Sequence, residues 1–446
     1  MSLVELQEII ENRSAHIGVI GLGYVGLPVA AMFAEAGFQV TGIEIREERV
    51  KLINSGKSPI DGDEPGLNDL LSKVANSKKL LATSDYLALK SCDIVLIDVE
   101  TPVDEHHIPR YQAMHSALES LSVVLKNGAL VIIESTIAPG TMRELVLPAL
   151  EAKSNRKVNK NFYLGNCPER VMPGRLLKNL RTLSRVIGGG TPETAEVMKT
   201  LYATVVQADL DAVDWVTAEL VKTVENAYRD VQIAFANEVA LICEKMGADI
   251  WQVRELVNKS PFRHMHLPGA GVGGHCIPKD PWLLAYGVRD SGLALRLIPA
   301  AREVNEWMPS HMAEMAKSAL AAGGKEISKC RILVMGFAYL ENSDDTRNSP
   351  SETAIDCLKK MGAEVVVHDP FVADYQGNLL NVAIGCDAAI VMVKHDAYAG
   401  LNLVELKSVL RTPILIDGRA VFSAEAAAKA GLKYYLVGRS EFITSE

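Results

Sequence analysis

The sequence predicts an α/β chain with two doubly wound parallel sheets, joined by a long central helix and a helical middle domain. Three observations predict it. Short apolar runs of strand length alternate with helical stretches in both outer thirds of the 446 residues, the pattern of parallel strands covered on both faces. Gly21-Leu-Gly23-Tyr-Val-Gly26 stands directly between such a run and a helical one. From about Asp211 to Met246 the pattern is helical without a proline or glycine, long enough to span domains and offer a dimer face. The expected domains are 1–210, 211–322 and 323–446.

In chain order, the first strand is His16-Ile-Gly-Val-Ile20. A second, Phe38-Gln-Val-Thr-Gly-Ile43, follows the helical run that Gly37 ends. G-x-G-x-x-G therefore sits in strand–turn–helix context, and Glu44 lies 18 residues beyond Gly26. That arrangement reads as a Rossmann-type dinucleotide site. The glycines admit the pyrophosphate to the helix N-terminus, and the acid reaches the adenosine ribose hydroxyls. A tight βα turn without ligand is the competing reading of the glycines alone. Glu44 favours NAD over NADP, because a carboxylate repels a 2′-phosphate; Arg46 and Arg49 stand nearby. Further strands are expected at 94–98, 129–134, 161–165 and 184–190. The loops Glu100-Thr-Pro-Val-Asp104 and Ser135-Thr-Ile-Ala-Pro-Gly-Thr141 leave two of them at the end where doubly wound sheets bind ligands. Ordinary turn chemistry uses the same residues.

On the central helix, Lys222 and Asn226 are four apart and share one face. Asn226 and Asn237 sit among Val, Ala and Phe, which admits a cavity-lining role beside the plainer reading of solvated polar residues. The stretch from Pro268 to Pro281 then places four glycines in six residues (Gly269, Gly271, Gly273, Gly274) ahead of His275, Cys276, Lys279 and Asp280. Nearby cations lower a thiol's pKa and make it a nucleophile. A glycine-rich loop holding a small buried cysteine fits the same residues, and both readings stand on the loop alone.

Helical sequence resumes to about Ala322, and Gly323-Gly324 reads as a linker. The last third repeats the α/β theme with strands expected at 329–336, 364–368, 388–393 and 413–417, giving a second Rossmann-like sheet without a full G-x-G-x-x-G. It reads as a site for a different nucleotide. Arg347 and Arg419 follow strands there and are the cations to aim at phosphate or base.

Composition narrows the class. Hydrophobic residues are 48% and charged residues 23%, as in a folded soluble protein. A net charge of −9 with both signs interspersed argues against a nucleic-acid surface. The seven cysteines contain no C-x-x-C pair, so neither a disulfide framework nor a zinc site is expected, no metal is invoked, and a reducing cytoplasm is the expected location. The N-terminus MSLVELQEIIENRSAH carries acids and no long apolar core, so it does not read as a signal peptide. Apolar runs fall short of the ~20 residues of a membrane span, so no membrane partner is expected.

Seven motifs in order resemble the nucleotide-sugar dehydrogenases that act at C6 of UDP-glucose or UDP-N-acetylhexosamines: GLGYVGLP at 21–28, STIAPGT at 135–141, CPERVMPG at 167–174, AELVKTVENAYRD at 218–230, GVGGHCIPKD at 271–280, DDTRNSP at 344–350 and DGR at 417–419. The resemblance covers nearly the whole chain. It implies oxidation of a C6 alcohol to a carboxylate with two NAD⁺, through a thioester. It further implies Cys276 as nucleophile, Asp280 as the water-handling carboxylate, Lys222 and Asn226 as oxyanion donors, Thr136 as a water-holding hydroxyl and Glu169 as an acid–base or water-orienting carboxylate. By the same resemblance Gly21, Gly23, Tyr24, Val25, Gly26, Glu44, Arg49, Thr101, Thr136 and Arg347 contact NAD. Glu169, Arg170, Val171, Lys222, Asn226, Arg229, Gly271, Gly273 and Arg419 contact the UDP-sugar. A homodimer or higher homo-oligomer built on the central helix is implied as well, with a role in surface polysaccharide or glycoprotein sugar synthesis.

The chemistry accounts for these residue types. An aldehyde has no second hydroxyl from which to expel hydride; adding a thiolate creates an alkoxide that does, and leaves a thioester. Negative charge falls on the same oxygen at each step, where one fixed donor is worth about 3 kcal/mol. The glucose branch usually reads P-E-F-L-R-E-G where this chain has Pro168-Glu-Arg-Val-Met-Pro-Gly174. Pro173 replaces the second carboxylate and Arg170 is new, which resembles the N-acetylhexosamine branch. UDP-N-acetyl-D-mannosamine is therefore the expected substrate, with UDP-N-acetylglucosamine or UDP-glucose as alternatives, and a UDP-sugar epimerase or a nucleotide-sugar sensor behind those. Leu340 stands where many members carry a phosphate-binding lysine, and Arg263 comes one place later than the family's arginine.

Overall fold

The computed structural model describes residues 1–439 except 61 and 63. Two compact units result, one of residues 1–225 with 282–293, the other of residues 226–281 and the chain from 294 on.

The first unit holds an eight-stranded sheet. Its strands are β1 (His16–Ile20), β2 (Gln39–Ile43), β3 (Leu80–Thr83), β4 (Ile94–Ile97), β5 (Ala129–Ile133), β6 (Phe162–Asn166), β7 (Arg185–Gly189) and β8 (Leu210–Asp214), in the spatial order β3-β2-β1-β4-β5-β6-β7-β8. The first six follow the 3-2-1-4-5-6 order of a dinucleotide-binding sheet, which reverses between β1 and β4. All neighbours are parallel except β6 and β7. Every residue of β4 and β5 is buried, because helices cover both faces of a parallel sheet and only an unbroken apolar run suits such a strand.

The second unit holds an all-parallel five-stranded sheet: β9 (Arg331–Met335), β10 (Glu364–His368), β11 (Ala388–Val391), β12 (Ile414–Asp417) and β13 (Lys433–Leu436), in the order β10-β9-β11-β12-β13. This 2-1-3-4-5 order is the other common doubly wound arrangement, with its reversal between β9 and β11. Asp369 closes β10 at the place Glu44 takes after β2. Its carboxylate is spent inside the fold, accepting the backbone N–H groups of Phe337, Ala338 and Phe371 and pairing with His395. The second sheet thus lacks the free acid with which a dinucleotide site holds ribose.

The α/β class with two Rossmann-like sheets is as expected, with one local correction. Leu210–Asp214, read from the sequence as the start of the central helix, is a strand paired with β7, and the helix runs Trp215–Met246. Five backbone pairings along β7 hold this half-exposed segment extended, against its local pattern. Among the described residues no helix is long and apolar enough to cross a membrane.

Candidate active site

In the first unit, G-x-G-x-x-G closes a tight turn at the end of β1. Gly21 has φ +93°, and a Cβ there would lie 2.4 Å from the Asp98 carbonyl oxygen. A Cβ at Gly26 would lie 2.1 Å from the Gly21 oxygen, so the turn is packed against itself. At Gly23 a Cβ would meet nothing within 4 Å. The outer side of the turn is therefore open to a close-approaching group, and the turn fits a dinucleotide pyrophosphate at the N-terminus of the helix Gly26–Glu35.

Glu44 is buried at the end of β2, accepting the backbone N–H of Arg46 at 3.0 Å and Nε of Arg49 at 3.2 Å. Arg49 also donates to the Leu22 carbonyl at 2.9 Å; it braces the acid against the glycine turn. Glu64 is a comparable brace that sequence reasoning missed. It accepts the Tyr24 hydroxyl and the backbone N–H groups of Gly174 (2.8 Å) and Leu176 (3.1 Å), linking the glycine turn to the 167–174 motif. Nothing in its local sequence marks it.

The loops after β4 and β5 hold each other. Thr101 Oγ1 donates to the Thr136 carbonyl at 2.6 Å, and Ser135 Oγ to the Val99 carbonyl at 2.6 Å. Glu219, on the central helix, accepts the backbone N–H groups of Gly140 (2.7 Å) and Met142 (2.8 Å) and so fixes the far end of the 135–141 loop. Glu169 is buried and ion-paired to Arg185. Burial pushes its carboxyl up to about 7, with Arg185 and Lys222 pulling down and Glu134 pushing up. Lys222 is itself buried. Arg170 is held by Glu225 at 2.9 Å and by the Ser184 carbonyl at 2.7 Å, beside the half-buried Val171.

In the second unit, Cys276 is exposed, Cys357 is half-buried and the other three cysteines are buried, as are Cys92 and Cys167 of the first unit. Of the two readings of this loop, the buried structural cysteine is excluded. Asp280 is fully buried. Its backbone N–H bonds the Cys276 carbonyl at 2.8 Å, so one helical turn carries the carboxyl back past the thiol. Asn226 Nδ2 donates to Asp280 Oδ2 at 2.6 Å, and Lys279 Nζ lies 3.5 Å from Oδ1. An amide nitrogen has two hydrogens, so Asn226 keeps one to donate elsewhere. Burial, with Lys279 and Arg347 nearby, lowers His275 to about 4. His275 is therefore neutral at pH 7, and the expectation that it helps ionise Cys276 as a cation is corrected. Arg347 is a cation that bears on the thiol. Its guanidinium is held by both Asp345 oxygens (Nε to Oδ1 2.9 Å, Nη2 to Oδ2 2.6 Å), and its carbonyl accepts the Gly274 N–H at 3.0 Å. Hydrogen bonding to Asp345 and the negative charge of Asp345 raise its pKa.

Asn237 does not line a cavity. It is fully buried, accepts the Gly269 N–H at 2.9 Å and donates to Asn305, which bonds Asp230, itself paired with Arg302. This chain of polar groups anchors the start of the glycine loop to two helices. Arg419 anchors its middle, donating to the Gly271 carbonyl and to the Met392 carbonyl, both at 2.9 Å. A Cβ at Gly273 would lie 2.6 Å from the Asn348 oxygen, so this part of the loop is pressed against backbone. Arg229 and Arg263 are exposed, and Leu340 is half-buried.

Three family descriptions match in register with these features. The UDP-glucose/GDP-mannose dehydrogenase family's NAD binding domain matches residues 15–206, its central domain 216–307 and its UDP binding domain 333–424. The UDP-N-acetyl-D-mannosamine dehydrogenase of Pyrococcus horikoshii is 38% identical over 91% of this chain and 95% of its own length. The solved structure of UDP-N-acetyl-D-mannosamine dehydrogenase from Pyrococcus horikoshii superposes with a TM-score of 0.90 at 38% identity, covering 95% of this chain and 99% of that one. A UDP-glucose dehydrogenase structure from Pyrobaculum islandicum gives 0.85 at 27% identity, over 96% and 98%. With the open glycine turn, the buried acid after β2 and this match over nearly its full length, the chain belongs to the UDP-glucose/GDP-mannose dehydrogenase family and carries that family's NAD binding domain.

Proposed function

We propose that this protein oxidises the C6 alcohol of a UDP-N-acetylhexosamine, UDP-N-acetyl-D-mannosamine foremost, to the uronate in two NAD-dependent steps through a thioester on Cys276. The observation that carries the reading is the exposed thiol, within one unit with the Asn226–Asp280 pair and Arg347. The glycine turn, Glu44, Thr101 and Thr136 would hold NAD, which supplies the acceptor for both hydrides. Cys276 Sγ adds to the C6 aldehyde, making the C–S bond and an alkoxide. Lys222 and the second amide hydrogen of Asn226 donate to that oxygen. Glu169 takes the proton of the C6 alcohol as the first hydride leaves and releases it to solvent. Asp280, fully buried beside the thiol, directs water at the thioester carbonyl; the C–S bond breaks and the thiol leaves with a proton. Arg170, Val171, Arg229, Gly271, Gly273 and Arg419 are assigned to the UDP-sugar, and Tyr24, Val25, Arg49 and Arg347 to NAD.

The departure at Arg170 and Pro173 and the names of the relatives support the N-acetylhexosamine. UDP-N-acetylglucosamine and UDP-glucose are the alternatives. NADH release against a panel of UDP-sugars tests the reading. We expect two NADH per sugar consumed, and the highest kcat/KM on UDP-N-acetyl-D-mannosamine. Sugar turnover without net NADH would replace the dehydrogenase by an epimerase; a preference for UDP-glucose would keep the chemistry and overturn the substrate.

We further infer a homodimer on the long helix. Leu220, Val224, Tyr228, Phe235, Ile242 and Met246 are exposed on it at spacings of four and seven, one continuous apolar stripe. Light scattering should give at least twice the 48.4 kDa chain mass, and Tyr228→Asp should lower it; a wild-type mass of one chain would end the inference. An exposed thiol suits the reducing cytoplasm, where nucleotide sugars for polysaccharide synthesis would be used.

A further inference from the structure

Behind Glu169 lies a layer of ionisable side chains that the reaction above does not use. Asp98 follows β4 and Glu134 follows β5, Arg185 opens β7, and Tyr202 ends the helix Pro192–Tyr202. Glu134, Arg185 and Tyr202 are at most 3% exposed, so water solvates none of them. The Arg185 guanidinium pairs with Glu169, lies 3.7 Å from Glu134 Oε1, donates to the Leu180 carbonyl at 3.2 Å and covers the Tyr202 ring at 5.0 Å. Tyr202 donates its hydroxyl to Glu134 Oε1 at 2.5 Å.

Two buried carboxyl groups, Glu134 and Glu169, thus face one guanidinium, with the half-buried Asp98 beside Glu134. Asp98 Oδ2 and Glu134 Oε2 are buried and find no donor among the described residues, although the two side chains are hydrogen-bonding neighbours. Two adjacent buried carboxylates do not both ionise; one retained proton satisfies both oxygens and removes the repulsion. With that proton in place Arg185 has two anions to serve, Glu134 and Glu169.

We propose that Arg185, paired with Glu169 and set between it and Glu134, is the positioning residue that aims Glu169 and governs its proton. The proposal rests on the assignment of Glu169 as the acid–base group. Among the described residues of this unit, the charges that bear on Glu169 are Arg185 from β7, Lys222 from the long helix and Glu134 from the end of β5. The outer side holds Asp98, held protonated by burial and by Glu134, and the Cys167 thiol, which burial keeps neutral. Removing the cation and removing the anion must then act in opposite senses. Arg185→Gln leaves burial and Glu134 opposed only by Lys222, so Glu169 keeps its proton to higher pH. Glu134→Gln removes an anion, so Glu169 loses its proton at lower pH.

The test is the pH profile of kcat on the full-length enzyme, reading the limb that disappears in Glu169→Gln. That limb should move up by about one unit or more in Arg185→Gln and down in Glu134→Gln, a tenfold change in ionised fraction per unit. Arg185→Lys should restore most of the position while kcat stays low, because an ammonium keeps the charge but not the fork. Asp98→Asn, a neutral isostere of a group already neutral, should leave the limb in place. Unmoved limbs in Arg185→Gln and Glu134→Gln proteins that fold by circular dichroism and still release NADH would overturn the proposal, as would shifts of one sign in both. Should Arg185→Gln fail to fold, the downward shift of Glu134→Gln decides alone. Absence of NADH release from the wild-type protein on every UDP-sugar would instead strike the functional reading.

Discussion

Cys276→Ser is expected to form no uronate, with the overall rate to the acid falling on the order of 10⁴-fold or more, as when a covalent nucleophile is removed. The first hydride needs no covalent bond, so a residual single oxidation fits the mechanism; the second requires the thiohemiacetal. Mass spectrometry of the products distinguishes the two outcomes. In the wild-type protein incubated with NAD and UDP-sugar, acid quenching should trap an adduct on the peptide carrying Cys276. Selective alkylation is practical because the other six thiols are buried or half-buried. Uronate formed by Cys276→Ser at the wild-type rate would sink the thioester mechanism outright.

Lys222→Met should lower kcat by roughly 10²–10³-fold, the usual loss on deleting one preorganised donor to an oxyanion, with a smaller change in KM. It carries a second signature. Lys222 pulls the Glu169 carboxyl down against burial, so without it Glu169 holds its proton to a higher pH and the Glu169 limb moves up. A variant with unchanged kcat would remove Lys222 from the oxyanion site. A low kcat with an unmoved limb would separate its role on the oxygen from its charge on Glu169.

The substitutions differ in how visible their sites are from sequence. G-x-G-x-x-G with its strands and acid is a local signal, and the open face at Gly23 is what that signal means in three dimensions. The glycine loop is equally local, and it correctly singles out the exposed thiol. The three strands that the sequence reading missed are β3, β8 and β13, and each is the edge of its sheet. Edge strands are covered on fewer sides; β8 is half-exposed throughout and the other two alternate. Their burial is less complete than that of the central strands, and backbone pairing with a neighbour decides them.

Fold class and family were legible in the sequence alone, because each is written in contiguous residues: apolar runs, glycine spacings, motif order. Partnerships were not. Asn226 meets Asp280 across 54 residues, Arg419 meets the Gly271 carbonyl across 148, and Glu64 meets Gly174 across 110. Polar side chains are satisfied by whatever donor or acceptor the fold brings near, and charge states follow burial, which no single position reveals. Only the tertiary structure therefore decided that His275 is neutral, that Asn237 is an anchor and not a cavity wall, and that Glu169 answers to Arg185 with Asp98 and Glu134 behind it.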